Sequence, residues 1–227
     1  MNMQKIKKII DSKNIISFDI FDTLIRRMVK NPHDIFDLVE RKYNFLNTDK
    51  KISNFRKNRI LSEKDCRNKS NNEEITIEEI YANLEKVYDK NQVNVLKELE
   101  KNIEIDFCKL NIKIKEIYNY CVENNKRIII TSDMYLDEKT IKKILKNNEI
   151  YYEKLYLSST IMKTKCSGNI YKYICEDLRI NKKEIVHIGD NKKSDYNAAI
   201  KNGIKSILWN NEDSINNKLN NNLSENI

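Results

Sequence analysis

The sequence predicts an α/β fold: a Rossmann-like, doubly wound parallel sheet with an all-helical cap inserted after its first strand. Three observations carry that expectation. Short apolar runs alternate with amphipathic stretches through the second half of the chain. Two of those runs, one near each end of the sequence, stop at an aspartate. Between the first run and the second, the alternation disappears and only helix signals remain.

Taken in order, the first strand is expected over 14–19, where Ile15 and Ile16 lead into Ser17, Phe18, Asp19, Ile20, Phe21, Asp22, Thr23 and Leu24. The stretch 29–113 then reads as helical throughout. Asn31 and Pro32 suit a cap and a first-turn proline, and Thr76 with Glu79 forms a capping box. Val95, Leu99, Ile103 and Phe107, with Val93 and Leu96 nearby, give a long amphipathic face. Such a segment either adds core packing or forms a lid over the mouth of the sheet. The lid is favoured because the chain enters it directly after the acidic loop.

Further strands are expected over 127–132, 154–158, 184–188 and 205–208, with helices at 138–146, 169–178 and 194–202, the last stopped by Gly203. This divides the chain into a core (1–28 and 114–209), a helical cap (29–113) and an Asn-rich tail at 210–227 read as disordered. In a parallel sheet, ligands sit beyond the carboxyl ends of the strands, where Asp19, Ser132 and Asp190 would emerge.

Composition removes several function classes. The 227 residues contain no apolar run near the ~20 needed to span a bilayer. The first eleven residues are basic without a long apolar stretch, so a cytoplasmic protein is expected. The net charge of +8 comes from dispersed lysines without a basic, aromatic-interleaved stripe, which argues against nucleic acid or membrane as partner. Five scattered cysteines without a Cys-x-x-Cys pair fit neither a disulfide framework nor a zinc site. With three glycines no phosphate-cradling glycine loop can be written, and with only His33 and His187 a nucleophilic triad is not expected. His187, inside an apolar strand, reads as a core residue.

Four ordered motifs resemble the haloacid dehalogenase superfamily of aspartate-nucleophile hydrolases. Asp19 with Thr23 four residues on looks like the first, and Ser132, or Thr131 in the rival register, like the second. Lys165 or its neighbour Lys163 looks like the third, and Gly189-Asp190 with Asp195 like the fourth. The resemblance implies that Asp19 attacks phosphorus, forming an aspartyl-phosphate. It implies a Mg²⁺ ion held by Asp19, the Phe21 backbone carbonyl and Asp190, with Asp195 as a ligand or an orienter. Lys165 would neutralise charge and Ser132 would bind the phosphoryl group. Thr23 would hydrogen-bond the substrate or its own loop, and Arg26 or Arg27 would clasp an anion or face solvent.

One departure matters. Family phosphatases carry a second aspartate two residues after the nucleophile as general acid and base; here that position is Phe21, and Asp22 stands one residue later. The sequence therefore points to a Mg²⁺-dependent phosphatase acting on a small phosphorylated metabolite, with a phosphosugar as one candidate. Dehalogenase or phosphonatase chemistry, or a catalytically weak metal- or phosphate-binding module, are the alternatives, and Asp22 is the substitute acid to be tested.

Overall fold

The structure, a computed structural model, describes residues 2–209. The expected disordered tail at 210–227 lies outside the described residues. Helix α1 (Met3–Asp11) precedes strand β1 (Ile15–Phe18). A short antiparallel pair, β2 (Ile25–Arg27) and β3 (Cys108–Leu110), brackets helices α2 (Asp34–Leu46), α3 (Phe55–Lys69), α4 (Ile77–Leu84) and α5 (Lys90–Phe107). After β3 come α6 (Ile112–Glu123), β4 (Arg127–Ser132), α7 (Glu138–Asn147), β5 (Lys154–Leu157), α8 (Ser158–Ile161) and α9 (Asn169–Leu178). Strand β6 (Ile185–Gly189), helix α10 (Ala198–Lys201) and strand β7 (Lys205–Leu208) complete the described chain.

Strands β5, β4, β1, β6 and β7, in that spatial order, form one parallel sheet. The period of two along each strand sends Ile16, Phe18, Ile128, Ile130, Val186 and Ile188 into one apolar layer, while Ile15, Ile129 and Ile185 join Ile170 and Ile174 of α9 in the other. Burying each such side chain is worth about 1.5–3 kcal/mol, so both faces of the sheet must be covered. Helices α1 and α6, not anticipated from sequence, cover the first face. Their signals are present: Asn2 caps α1 ahead of buried Ile6 and Ile10, and Asn111 caps α6 ahead of buried Ile114, Ile117, Tyr118 and Cys121.

The segment expected to be wholly helical contains a strand. Cys108–Leu110 pairs with Ile25–Arg27, and the two tie the entry and exit of the insertion together next to the first loop of the sheet. Helix α2 also begins later than Asn31 and Pro32 suggested. The Asp34 carboxylate accepts from the Asn31 amide at 2.8 Å, closing a turn that delays the helix to Asp34. The Thr76–Glu79 capping box forms at the start of α4.

The expected apolar face of α5 packs in part, with Leu99, Ile103 and Phe107 half-buried against the core. Val95 is exposed, and the buried positions are Val93, Leu96, Glu100, Glu104 and Ile105. The two glutamates sit on the inner face because two arginines neutralise them there. Arg59 of α3 grips Glu100 through Nε at 2.8 Å and Nη2 at 2.9 Å, and Arg27 of β2 binds Glu104 at 2.8 Å. A reading by hydrophobicity alone misses these two buried carboxylates beside the apolar positions. Among the described residues, no helix is long and apolar enough to cross a membrane.

Candidate active site

At the carboxyl end of the sheet, the turns after β1, β4 and β6 converge. The amide of Asp19 donates to the Ile188 carbonyl at 2.9 Å, fastening the end of β1 to the end of β6. The following turn closes through Asp22 N to Ile25 O and Ile25 N to Ile20 O, each 2.8 Å, with Asp22 at φ +60°. Aspartate tolerates this left-handed conformation better than bulkier residues. A glycine is required elsewhere: a Cβ on Gly189 would stand 2.4 Å from Cγ of Asp195, so only a bare backbone lets that carboxylate cross the end of β6.

Asp19, Asp190 and Asp195 thereby bring carboxylate oxygens within 4.8 Å of one another. Lys165 reaches in from the loop before α9, buried, with Nζ 2.5 Å from Asp19 Oδ1 and 2.6 Å from Asp195 Oδ1. Thr23 Oγ1 lies 3.2 Å from Asp19 Oδ2 and 3.3 Å from Asp190 Oδ1. A cleft of about 360 Å³ opens over the cluster. Asp19, Phe21, Ser132, Lys165 and Asp190 all face it.

One ammonium cannot balance three carboxylates, and the protonation equilibria show the strain. Burial, opposed by Lys165 and reinforced by Asp195, pushes the Asp19 carboxyl up to about 8. Burial with repulsion from Asp195 and Asp22 pushes Asp190 up to about 6. Burial acts the same way on Asp195, but Lys165 and His187 outweigh it and hold that carboxyl well below the usual range. Lys165 stays charged because Asp19 and Asp195 overcome the cost of its burial. Asp195 is thus the fixed anion, and Asp19 keeps the spare basicity.

The open choices from sequence resolve in space. Ser132 faces the cleft and its buried hydroxyl has no protein partner, whereas Thr131 turns into the sheet and bonds Ser17. Lys165, not Lys163, reaches the carboxylates. Of the two alternatives for Thr23, the bond within its own loop is the one formed, to Asp19. Thr23 is fully buried behind the carboxylates it bonds, and Arg26 lies on β2 outside the residues lining the cleft. Asp22 is exposed at the cleft edge.

Sequence reasoning passed over three acids nearby. Asp133, directly after Ser132, accepts the Lys165 amide at 2.8 and 3.0 Å and so sets the approach of that lysine. Burial raises its carboxyl, with Lys165 opposing. Glu73, from the turn before α4, accepts Thr164 N at 2.8 Å and Ser167 Oγ at 2.6 Å. Glu74 accepts Ser158 Oγ at 2.8 Å. The insertion is thereby tied to the loop that carries Lys165. The sequence signal was an acidic pair just ahead of a capping box, read only as part of a helical region.

A family model of haloacid dehalogenase-like hydrolases matches residues 13–203, and the chain belongs to this family of hydrolases. Solved structures agree on the fold. A 2-haloacid dehalogenase of Pseudomonas syringae superposes with a TM-score of 0.63 at 12% identity, over 87% of this chain and 86% of that one. A hydrolase of the family from Bacillus subtilis, bound to magnesium, gives 0.60 at 12% identity, over 87% and 89%. A family enzyme of Bacteroides thetaiotaomicron, in complex with magnesium and inorganic phosphate, gives 0.56 at 17% identity, over 87% and 94%. Among curated proteins, none matches this chain.

Proposed function

We propose that this protein is a Mg²⁺-dependent phosphatase that cleaves a small phosphorylated metabolite through an aspartyl-phosphate at Asp19. The observation that carries the reading is the Asp19 carboxylate, bonded to Lys165 at 2.5 Å, opening onto a cleft beside the unpartnered Ser132 hydroxyl. The donor set fits a hard cation: three carboxylates with oxygens within 4.8 Å and only one lysine to balance them. Asp19, Asp190 and the Phe21 carbonyl would hold Mg²⁺, with Asp195 ligating or orienting. The bound ion supplies charge neutralisation for an anionic nucleophile meeting an anionic phosphoryl group.

The protein's own groups do the rest. Asp19 forms a bond to phosphorus as the bond to the leaving oxygen breaks. Lys165 neutralises Asp19 and the incoming phosphoryl oxygens, and Ser132 donates to one of them. Water then attacks phosphorus, releasing phosphate and regenerating the carboxylate. The helical insertion, joined by Glu73 to the loop that carries Lys165, would serve as a cap that limits substrates to small molecules.

Phe21 sets the substrate class. Its ring stands at the position where family phosphatases carry their general acid, and the loss of such a group costs about 10²–10⁴ in rate. Substrates whose leaving group departs as a stable anion escape that cost. Acyl phosphates meet the requirement, because the carboxylate they release needs no proton. A second reading, a weakly catalytic metal- or phosphate-binding module, draws on the same ring.

The deciding experiment is a panel of phosphate esters, acyl phosphates and haloacids assayed with and without Mg²⁺, for wild type and Asp19→Asn. Magnesium-dependent phosphate release, lost in Asp19→Asn, is the expected result. Halide release without metal would replace the reading with dehalogenation, and silence across the panel would leave the binding module.

A further inference from the structure

Beneath the site, inside the sheet, runs a buried polar chain that the proposed reaction does not use. Thr131 of β4, Ser17 of β1 and His187 of β6 are each fully buried and share one face of the sheet. Thr131 Oγ1 and Ser17 Oγ are 2.8 Å apart, Ser17 Oγ and His187 Nδ1 are 2.8 Å apart, and His187 Nε2 is 3.2 Å from Asp195 Oδ1. Tyr171 meets the imidazole edge-on at 5.3 Å, and its hydroxyl donates to the Ser194 carbonyl at 2.9 Å, so the ring is packed as well as bonded.

Proton accounting gives this chain a direction. The Asp195 carboxylate only accepts, so its bond to His187 forms only in a ring protonated at Nε2. If Nδ1 carried a proton too, the ring would be an imidazolium, a charge that its complete burial opposes and that the Lys165 ammonium, 2.6 Å from the same Asp195 oxygen, repels. The neutral ring therefore accepts at Nδ1 from Ser17, whose oxygen accepts from Thr131. Asp195 is then held at both ends: Oδ1 by His187 and Lys165, Oδ2 by the Asn191 amide at 2.9 Å.

We propose that His187 is a positioning residue, held as its Nε2-protonated tautomer by Ser17 and Thr131, that fixes the Asp195 carboxylate for metal binding and for its grip on Lys165. The histidine touches neither substrate nor ion. Its effect passes through one carboxylate, and such outer partners typically contribute 10–100-fold to metal affinity. The metal half of the inference rests on the proposed Mg²⁺ site; the tautomer half does not.

Two measurements on the full chain test it separately. Nitrogen-15 NMR of the imidazole should show Nε2 protonated and Nδ1 bare, and Ser17→Ala, which deletes the donor to Nδ1, should shift the ring toward the other tautomer. A wild-type ring protonated at Nδ1, or a ring unchanged in Ser17→Ala, overturns the relay. Calorimetric Mg²⁺ titration should show about 10–100-fold weaker binding in His187→Leu, largely restored in His187→Gln, whose amide nitrogen can still donate to Asp195. Unchanged Mg²⁺ affinity in a folded His187→Leu overturns the positioning role. If that variant does not fold, the same titration is made on Ser17→Ala, where unchanged Mg²⁺ affinity equally overturns the role and weakened binding supports it. A wild type that binds no Mg²⁺ defeats the metal site itself and, with it, the metal half of this inference, while the NMR result still decides the tautomer.

Discussion

Arg27 sits over the ring of Phe21, with 4.1 Å between the guanidinium carbon and the ring centre, and Glu104 of the insertion holds its Nε at 2.8 Å. The position that serves family phosphatases as a proton donor is thus an apolar face stacked under a cation. Introducing the acid would not simply restore it, because a carboxylate beside a guanidinium has its pKa lowered by about 1–3 units.

Phe21→Asp is expected to raise turnover of ordinary phosphate monoesters, by less than the 10²–10⁴ typical of a well-placed general acid. The gain should grow toward acid pH, where the new carboxyl is protonated. Steady-state kinetics across pH 5–8 checks this, with acetyl phosphate as the control that needs no donor. Monoester rates unchanged or lower at every pH would place the proton donor elsewhere.

Magnesium should stabilise the fold. A ligand bound only by the native state at a hundred times its Kd adds about 2.7 kcal/mol, or roughly 5–10 °C for a chain of this size. In Asp190→Asn the magnesium shift should vanish. The metal-free variant should melt at or above the wild-type temperature, because one of three mutually repelling carboxylates is gone. Thermal scans with EDTA and with graded Mg²⁺ measure both. A Mg²⁺ shift that survives Asp190→Asn would remove that residue from the metal set.

The sheet was legible because parallel strands buried on both faces must be apolar runs, and because runs such as 15–18 and 185–188 stop at the turns that carry Asp19 and Asp190. Asp19, Lys165 and Asp190 were legible through the order of their motifs. The charged contacts made by the insertion were not. Arg59 and Glu100 look like surface residues until the fold brings α3 and α5 together, and Glu73 meets Thr164 only across 91 residues of chain. His187 was read as core, and it is fully buried, yet both its nitrogens are engaged by partners from other segments. Hydropathy reports which residues avoid water, not which ions have found counter-ions.

The Arg59–Glu100 pair should therefore dominate the stability of the insertion. Tyr81 adds a 2.7 Å hydrogen bond to the same carboxylate, and the rings of Phe36 and Tyr135 lie 4.8 and 4.7 Å from the guanidinium. Glu100→Ala leaves a buried cation short of its counter-charge and should cost about 3–5 kcal/mol. Glu153→Ala, which breaks the solvent-facing pair with Arg127, should cost less than about 1 kcal/mol. Urea unfolding of the two variants side by side checks the contrast, and equal midpoints would refute it.

Glu73 should govern how firmly the insertion holds the Lys165 loop. Its burial tends to raise the carboxyl, but donors from Ser167, Asn169 and Thr164 outweigh that and lower it. A carboxyl depressed in the folded state contributes its stabilisation above its unfolded value of about 4.5 and loses it as pH falls through the folded value. The tie is therefore complete at neutral pH and breaks only in acid. Glu73→Ala should speed amide hydrogen exchange at 164–169 and raise KM more than it lowers kcat, since Asp133 still anchors the Lys165 amide. Glu73→Gln should recover part of the protection, because its amide oxygen can still accept from Thr164. Exchange rates at those amides indistinguishable from wild type in Glu73→Ala would show that the loop holds its shape without the insertion.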